Sequence, residues 1–121
     1  MKLVTGVDMV RVARVQEAIE RHGVRFLNRI FTQIEQRDSK GRFESLAARF
    51  AAKEAAAKAL GCGIGKVSWL EIEVCVDGNR APYLVFSGEG ENLARQMGLT
   101  TWSVSLSHTE SDAIAFVVGL G

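Results

Sequence analysis

Residues 49 to 60 read Arg-Phe-Ala-Ala-Lys-Glu-Ala-Ala-Ala-Lys-Ala-Leu, a run of strong helix formers. So many alanines keep a helix thin, and whatever packs on it can approach closely. At about 100° per residue, Leu46, Phe50, Ala57 and Leu60 fall in one arc. Lys53 falls inside that arc and Glu54 at its edge, with Lys58 one turn past Glu54. An ordinary amphipathic helix keeps its charges off the apolar stripe. A charge that faces a core is costly unless it is paired or bound to a metal, which points to function. The plainer alternative is a surface pair between Glu54 and Lys58, on the order of a few tenths of a kcal/mol.

At 121 residues the chain is expected to form one domain, residues 1–121, large enough for a modest core. The net charge of +1 sets up no broad field, so neither nucleic acid nor a membrane is expected as a partner. Cys62 and Cys75 lack the spacing of a metal knuckle, and Cys75 reads as a buried small hydrophobe. Asp8 and Arg11 interrupt the first apolar run, so no signal peptide is visible, and no run is long enough to span a bilayer. A reduced, cytoplasmic setting follows.

Leu3 to Val7 reads as a strand ending at Asp8, followed by a helix with Val12, Val15 and Ile19 on one face and Gly23 at its end. A second helical stretch covers Val24 to Phe31, and Thr32 to Glu35 has the form of a capping box. Gln36 to Glu44 is the most polar stretch and the best loop candidate. The alanine-rich helix runs from about Phe43 to Leu60 with Gly61 as its cap. The second half alternates: strands are expected at Leu70 to Val76, Tyr83 to Phe86 and Trp102 to Leu106, with a short helix from Gly88 to Gly98. Ala113 to Val118 is nearly all apolar and is expected as a strand buried on both faces, joined to the preceding strand by a hairpin at Ser107 to Ser111. Clustered helices followed by hairpin-linked strands give an α+β fold, with N-terminal helices on a mostly antiparallel sheet.

Four constellations carry candidate chemistry. Asp8, between strand and helix, serves either as an N-cap or, with Glu54, as one of two hard oxygen ligands for Mg²⁺. Gly61-Cys62-Gly63-Ile64-Gly65-Lys66 is either a C-cap and turn or a loop that lets backbone approach a phosphate; it matches no nucleotide fingerprint. His108, between Ser107 and Thr109, is either a surface residue or a phosphate or acid–base group. Ser107 and His108 point to opposite faces of a strand, which disfavours a nucleophile–base pair. Arg11, Arg14 and Arg21 share a helical face continued by Arg25 and Phe26, either a solvated surface or a dock for an acidic partner with Phe26 as apolar anchor.

In this order the features resemble one family, the holo-[acyl-carrier-protein] synthases, the small single-domain class of 4′-phosphopantetheinyl transferases. Gly6-Val7-Asp8 matches the family's opening, Arg14 its basic helix and Arg25-Phe26 its Arg-Phe pair. Arg49 to Ala55 with Lys58-Ala59 matches the central signature, Gly61 to Ile64 the glycine loop, and Val104 to Thr109 the late strand and turn. The resemblance covers nearly the whole chain. Two places depart from it: Val4 stands where the family has a further glycine, and Arg80-Ala81 stands where a glycine precedes Pro82.

The resemblance implies transfer of the 4′-phosphopantetheine arm of coenzyme A to a serine of acyl carrier protein, with adenosine 3′,5′-bisphosphate leaving. It implies that Asp8 and Glu54 hold Mg²⁺ and that Lys58, Lys53 and Arg49 add charge to the phosphates. Gly61, Gly63 and Ile64 would let backbone come near them, and Ser107, His108 and Thr109 would hold the nucleotide end. Arg14, Arg21, Arg25 and Phe26 would receive the carrier protein. Glu54, Lys58 and a metal-bound water stand as candidates for the base. A homotrimer with sites shared between subunits is implied as well. The alternative is a trimeric module that binds coenzyme or carrier without turnover. The larger, two-repeat transferases carry two such half-domains, and this chain has one Lys-Glu signature.

Overall fold

The computed structural model describes residues 1–121. Five strands and five helices follow in the order β1 (Leu3–Arg11), α1 (Val12–His22), α2 (Val24–Ile30), α3 (Gln33–Ser39), α4 (Phe43–Ala59), β2 (Ile72–Val76), β3 (Pro82–Phe86), α5 (Gly88–Gln96), β4 (Thr101–His108) and β5 (Asp112–Leu120). A 3-10 turn, Trp69–Glu71, leads into β2. All strand pairs are antiparallel, in a sheet of order β1-β5-β4 and a β2-β3 hairpin. The α+β expectation therefore holds. No helix is long and apolar enough to cross a membrane.

Helix α4 is the axis of the core. Eleven of its seventeen residues are buried, eight of them alanine. One side lies on β1 and β5, and the others meet α1, α3 and β2. The thin helix lets the sheet come down onto its backbone. A Cβ on Gly6 would land on the carbonyl oxygen of Ala55, so only glycine fits there. Val4 turns toward the space that Gly119 leaves beside Trp102, its neighbour across the sheet.

Several boundaries differ from the sequence reading. Strand β1 continues through Asp8 to Arg11, because its pairing with β5 runs unbroken to Asp112. Asp8 is thus mid-strand, not an N-cap. Arg11 caps α1 with backbone only and leaves the basic helical stripe. Helix α3 absorbs the first part of the expected loop, Gln36 to Ser39: its capping box is complete in both directions and carries the helix to Ser39. Helix α4 closes at Leu60, with Gly61 just beyond in the left-handed region at φ 76°.

The last strand is the largest correction. Ala113, Ala115 and Val117 are buried on α4, but Ile114 and Phe116 are exposed at 40% and 46%. In the register of the sheet they lie beside Met9 and Val7, themselves 67% and 50% exposed. The chain covers one face of this sheet and leaves the other apolar face bare.

Candidate active site

The two lysines of α4 have opposite surroundings. Lys53 is fully buried, and its ammonium donates to Glu35 Oε1 at 2.7 Å and to the carbonyl of Trp69 at 2.9 Å. It also lies 5.8 Å from the centre of the Phe31 ring, within cation–π range. Glu35, equally buried, accepts the N–H of Thr32 through Oε1 and that of Val74 through Oε2, both at 2.8 Å. One carboxylate therefore ties α3, α4 and β2 together. Burial pulls the Lys53 pKa down, and the charge of Glu35 opposes that shift. The expectation that Lys53 serves a phosphate is corrected: its charge is consumed inside the fold. Sequence reading did not find Glu35 as the partner, because a capping-box glutamate is ordinarily a surface residue.

On the opposite side, Lys58 is half exposed. Its Nζ donates to Asp8 Oδ1 at 3.0 Å and to the carbonyl of Val7 at 3.1 Å. The plainer alternative, a surface pair between Lys58 and Glu54, does not form. Glu54, half buried, forms no ion pair within the chain. Burial raises its pKa first and the charge of Asp8 second, while Lys58 and Arg14 pull it down. Asp8, Glu54, Lys58 and Arg14 thus lie in one electrostatic cluster. Arg14, expected to receive the carrier protein, also contributes its charge at Glu54.

No group of three or more metal-binding side chains occurs in the chain. Two carboxylates suit Mg²⁺, which completes its shell with waters and phosphate oxygens. Glu54 is uncommitted, and Lys58 engages only Oδ1 of Asp8, so the pair fits such an ion.

The glycine loop follows at the same end of α4. The N–H groups of Cys62 and Gly63 both donate to the carbonyl of Ala57 at 3.2 Å, finishing the helix. Nothing lies within 4 Å of a Cβ built on Gly61, Gly63 or Gly65. The loop therefore offers open room beside Lys58, while the amides of Gly61, Cys62, Gly63 and Gly65 are already used by carbonyls of the chain. Ile64 bridges to Val67 and packs on the core.

Arg49 and His108 lie elsewhere. They line a cavity of about 800 Å³ with Arg37, Lys40, Arg42 and Arg80. Arg49 is 5% exposed and holds the Ser45 hydroxyl, while its Nε is buried without a partner. Around α4, Arg49 is about 140° from Glu54 and about 180° from Lys58. One chain does not bring the two halves of the expected coenzyme site together. Ser107, opposite Ile114, is on the bare face of the sheet, and the Thr109 hydroxyl accepts the N–H groups of Ser111 and Asp112 in the hairpin turn.

Of the expected docking residues, Arg14 and Arg21 line one shallow depression on α1 with Glu17, Ala18 and His22. Arg25 is exposed on α2. Phe26 is half buried, edge-on to Phe31 at 6.4 Å, so it belongs partly to the core.

Comparison with known proteins identifies the family. The family model described as "4'-phosphopantetheinyl transferase superfamily" matches residues 5–117. The holo-[acyl-carrier-protein] synthase of Herpetosiphon aurantiacus is 47% identical, over 98% of this chain and 99% of its own. That of Carboxydothermus hydrogenoformans is 46% identical over 94% of both. Among solved structures, the Helicobacter pylori holo-[acyl-carrier-protein] synthase in complex with coenzyme A superposes with a TM-score of 0.88 at 33% identity, covering 96% of this chain and 99% of that one. The Neisseria meningitidis enzyme gives 0.88 at 34% identity over 98% of both. The chain belongs to the 4′-phosphopantetheinyl transferase superfamily, as one of its holo-[acyl-carrier-protein] synthases.

Proposed function

We propose that this enzyme transfers 4′-phosphopantetheine from coenzyme A to a serine of apo acyl carrier protein in a Mg²⁺-dependent reaction, at sites shared between the subunits of a homotrimer. The observation that carries the reading is the cluster of Asp8, Glu54 and Lys58 on one side of α4. In the reaction the serine oxygen bonds to the phosphorus that carries pantetheine. The pyrophosphate P–O bond breaks, and adenosine 3′,5′-bisphosphate leaves with the bond's electrons.

Phosphoryl transfer of this kind rests on positioning and on neutralising charge. Asp8 and Glu54 would hold Mg²⁺, which when bound neutralises pyrophosphate charge and orients its oxygens. Lys58 is held by Asp8 and the carbonyl of Val7, so its ammonium is fixed where a phosphate can reach it from solvent. The open glycine loop leaves room for the chain of the substrate beside it. Glu54 or a nearby water would take the serine proton.

Arg49 and His108 would hold the nucleotide end from a neighbouring subunit. Their position on the far side of α4 supports this reading, as does the bare apolar sheet face of Val7, Met9, Ile114 and Phe116, which a second and third copy would cover. Arg14 supplies positive charge to the cluster and shares a depression with Arg21, and Arg25 follows exposed on α2; this side is where an acidic carrier protein would bring its serine. The direct test is to incubate the protein with apo carrier protein, coenzyme A and Mg²⁺ and to weigh the carrier by mass spectrometry. A carrier heavier by one phosphopantetheine, with none formed in chelator, is the expected result. An unchanged carrier would contradict it.

A further inference from the structure

Two residues other than glycine take a left-handed backbone in this chain, Lys40 at φ 52° and Arg80 at φ 65°. They come from distant segments, the α3–α4 junction and the β2–β3 turn, yet both line the cavity that holds Arg49 and His108. Backbone strain of this kind concentrates where a structure does more than fold.

The turn itself gives no reason for an arginine. Asp77 builds it: its carbonyl accepts the N–H of Arg80 at 2.9 Å, and its Oδ1 accepts those of Asn79 at 2.8 Å and Ala81 at 3.0 Å. These are bonds to main chain, which glycine would make equally well and without strain. The turn even contains a glycine, Gly78, but the left-handed place falls to Arg80. The Arg80 side chain is exposed and enters no ion pair within the chain.

The rest of the cavity indicates what that side chain is for. Arg37, Lys40, Arg42, Arg49 and Arg80 outnumber the carboxylates Asp38 and Glu44 in the lining, so the cavity suits an anion. Arg49 is 95% removed from solvent and carries a buried Nε with no acceptor. An oxygen-rich ligand would satisfy it. A terminal phosphate offers three oxygens and can accept from two guanidinium groups at once.

We propose that Arg80 is a specificity residue, which closes with Arg49 on a phosphomonoester and lets this enzyme distinguish coenzyme A from the form lacking the 3′-phosphate. The proposal rests on the coenzyme reading above.

Titration calorimetry of coenzyme A and 3′-dephospho-coenzyme A into the intact wild-type protein, Arg80→Gly and Arg80→Lys tests it. Arg80→Gly is expected to weaken coenzyme A about tenfold, as loss of a charge-assisted contact should, and to leave the dephospho form unchanged. Its melting temperature should not fall, because glycine accepts the backbone conformation. Arg80→Lys keeps the charge without the planar fork and should fall between. Equal weakening of both ligands, or undiminished binding of coenzyme A by Arg80→Gly, overturns the role of Arg80 and leaves the coenzyme reading standing. A wild-type protein that binds neither ligand overturns that reading and the role of Arg80 with it.

Discussion

Lys53 and Lys58 sit on one helix, little more than a turn apart, and live in different media. Lys53 has two acceptors and an aromatic face around its ammonium and no exposure at all. Lys58 is half exposed, fixed by one carboxylate oxygen and one carbonyl, beside a glutamate that has no cation of its own. The same residue type is structural where the fold meets every demand of its charge. It is available for chemistry where one side is left to solvent. A dry, saturated pair cannot take up a phosphate without unfolding its surroundings. A wet, partly satisfied cluster can exchange water for ligand at little cost.

The strongest way to break this contrast is to truncate the buried lysine. Lys53→Ala strands the Glu35 carboxylate and is expected to cost about 3–5 kcal/mol of stability, read by denaturant titration. Were Lys53 a catalytic cation instead, the melt would hardly move and transfer would collapse. Lys58→Ala should show the converse. Its stability should change by about 1 kcal/mol or less, since the pair is exposed, while the transfer rate falls roughly a hundredfold, about 2.7 kcal/mol of barrier.

Much of this division was present in the sequence and some was not. A charge inside the apolar arc of an alanine-rich helix marks Lys53 as exceptional, and that reading needs only periodicity. What the charge is for depends on Glu35, which lies eighteen positions earlier and reaches Lys53 only because α3 folds back over α4. No local pattern carries that information. Asp8 shows a related limit: a lone Asp before a helix looks like a cap, and only the pairing of β1 with β5 shows the strand running past it. The capping box at Thr32 and the alternation of β4 involve only near neighbours or a simple period, and both could be read directly. The bare face of β5 was misjudged because apolar residues on both sides of a strand look the same whether the second layer comes from the chain or from another molecule.

A smaller effect is expected at the edge of the wet cluster. Arg14→Glu should raise the KM for carrier protein, with the defect fading as salt rises to roughly 0.5 M, where exposed charges are screened over a few Å. Because Arg14 also draws down the Glu54 pKa, the KM for coenzyme A should shift too, by less. A salt-independent defect would make α1 structural.

The smallest effect concerns Glu54 itself. Its folded pKa lies above the ordinary value, mainly through burial, so the ionised form is disfavoured by folding. The cost is absent below the unfolded pKa of roughly 4 and appears in full above the folded one. In metal-free protein, Glu54→Gln should therefore melt slightly higher than wild type at pH 7 and match it at low pH. A lower melting temperature at pH 7 would place Glu54 in a structural pair like that of Lys53.

The two halves of the site, on opposite sides of α4, are expected to meet across a subunit boundary. Complementation tests this most directly. Glu54→Gln and His108→Ala are purified separately, unfolded, mixed in equal amounts and refolded together, and transfer is assayed at limiting coenzyme A. In a head-to-tail ring, roughly a quarter of the sites then combine Glu54 from one subunit with His108 from the next. Activity well above that of either variant refolded alone is the expected result. Mixed oligomers verified by native mass spectrometry that show no such recovery would contradict it.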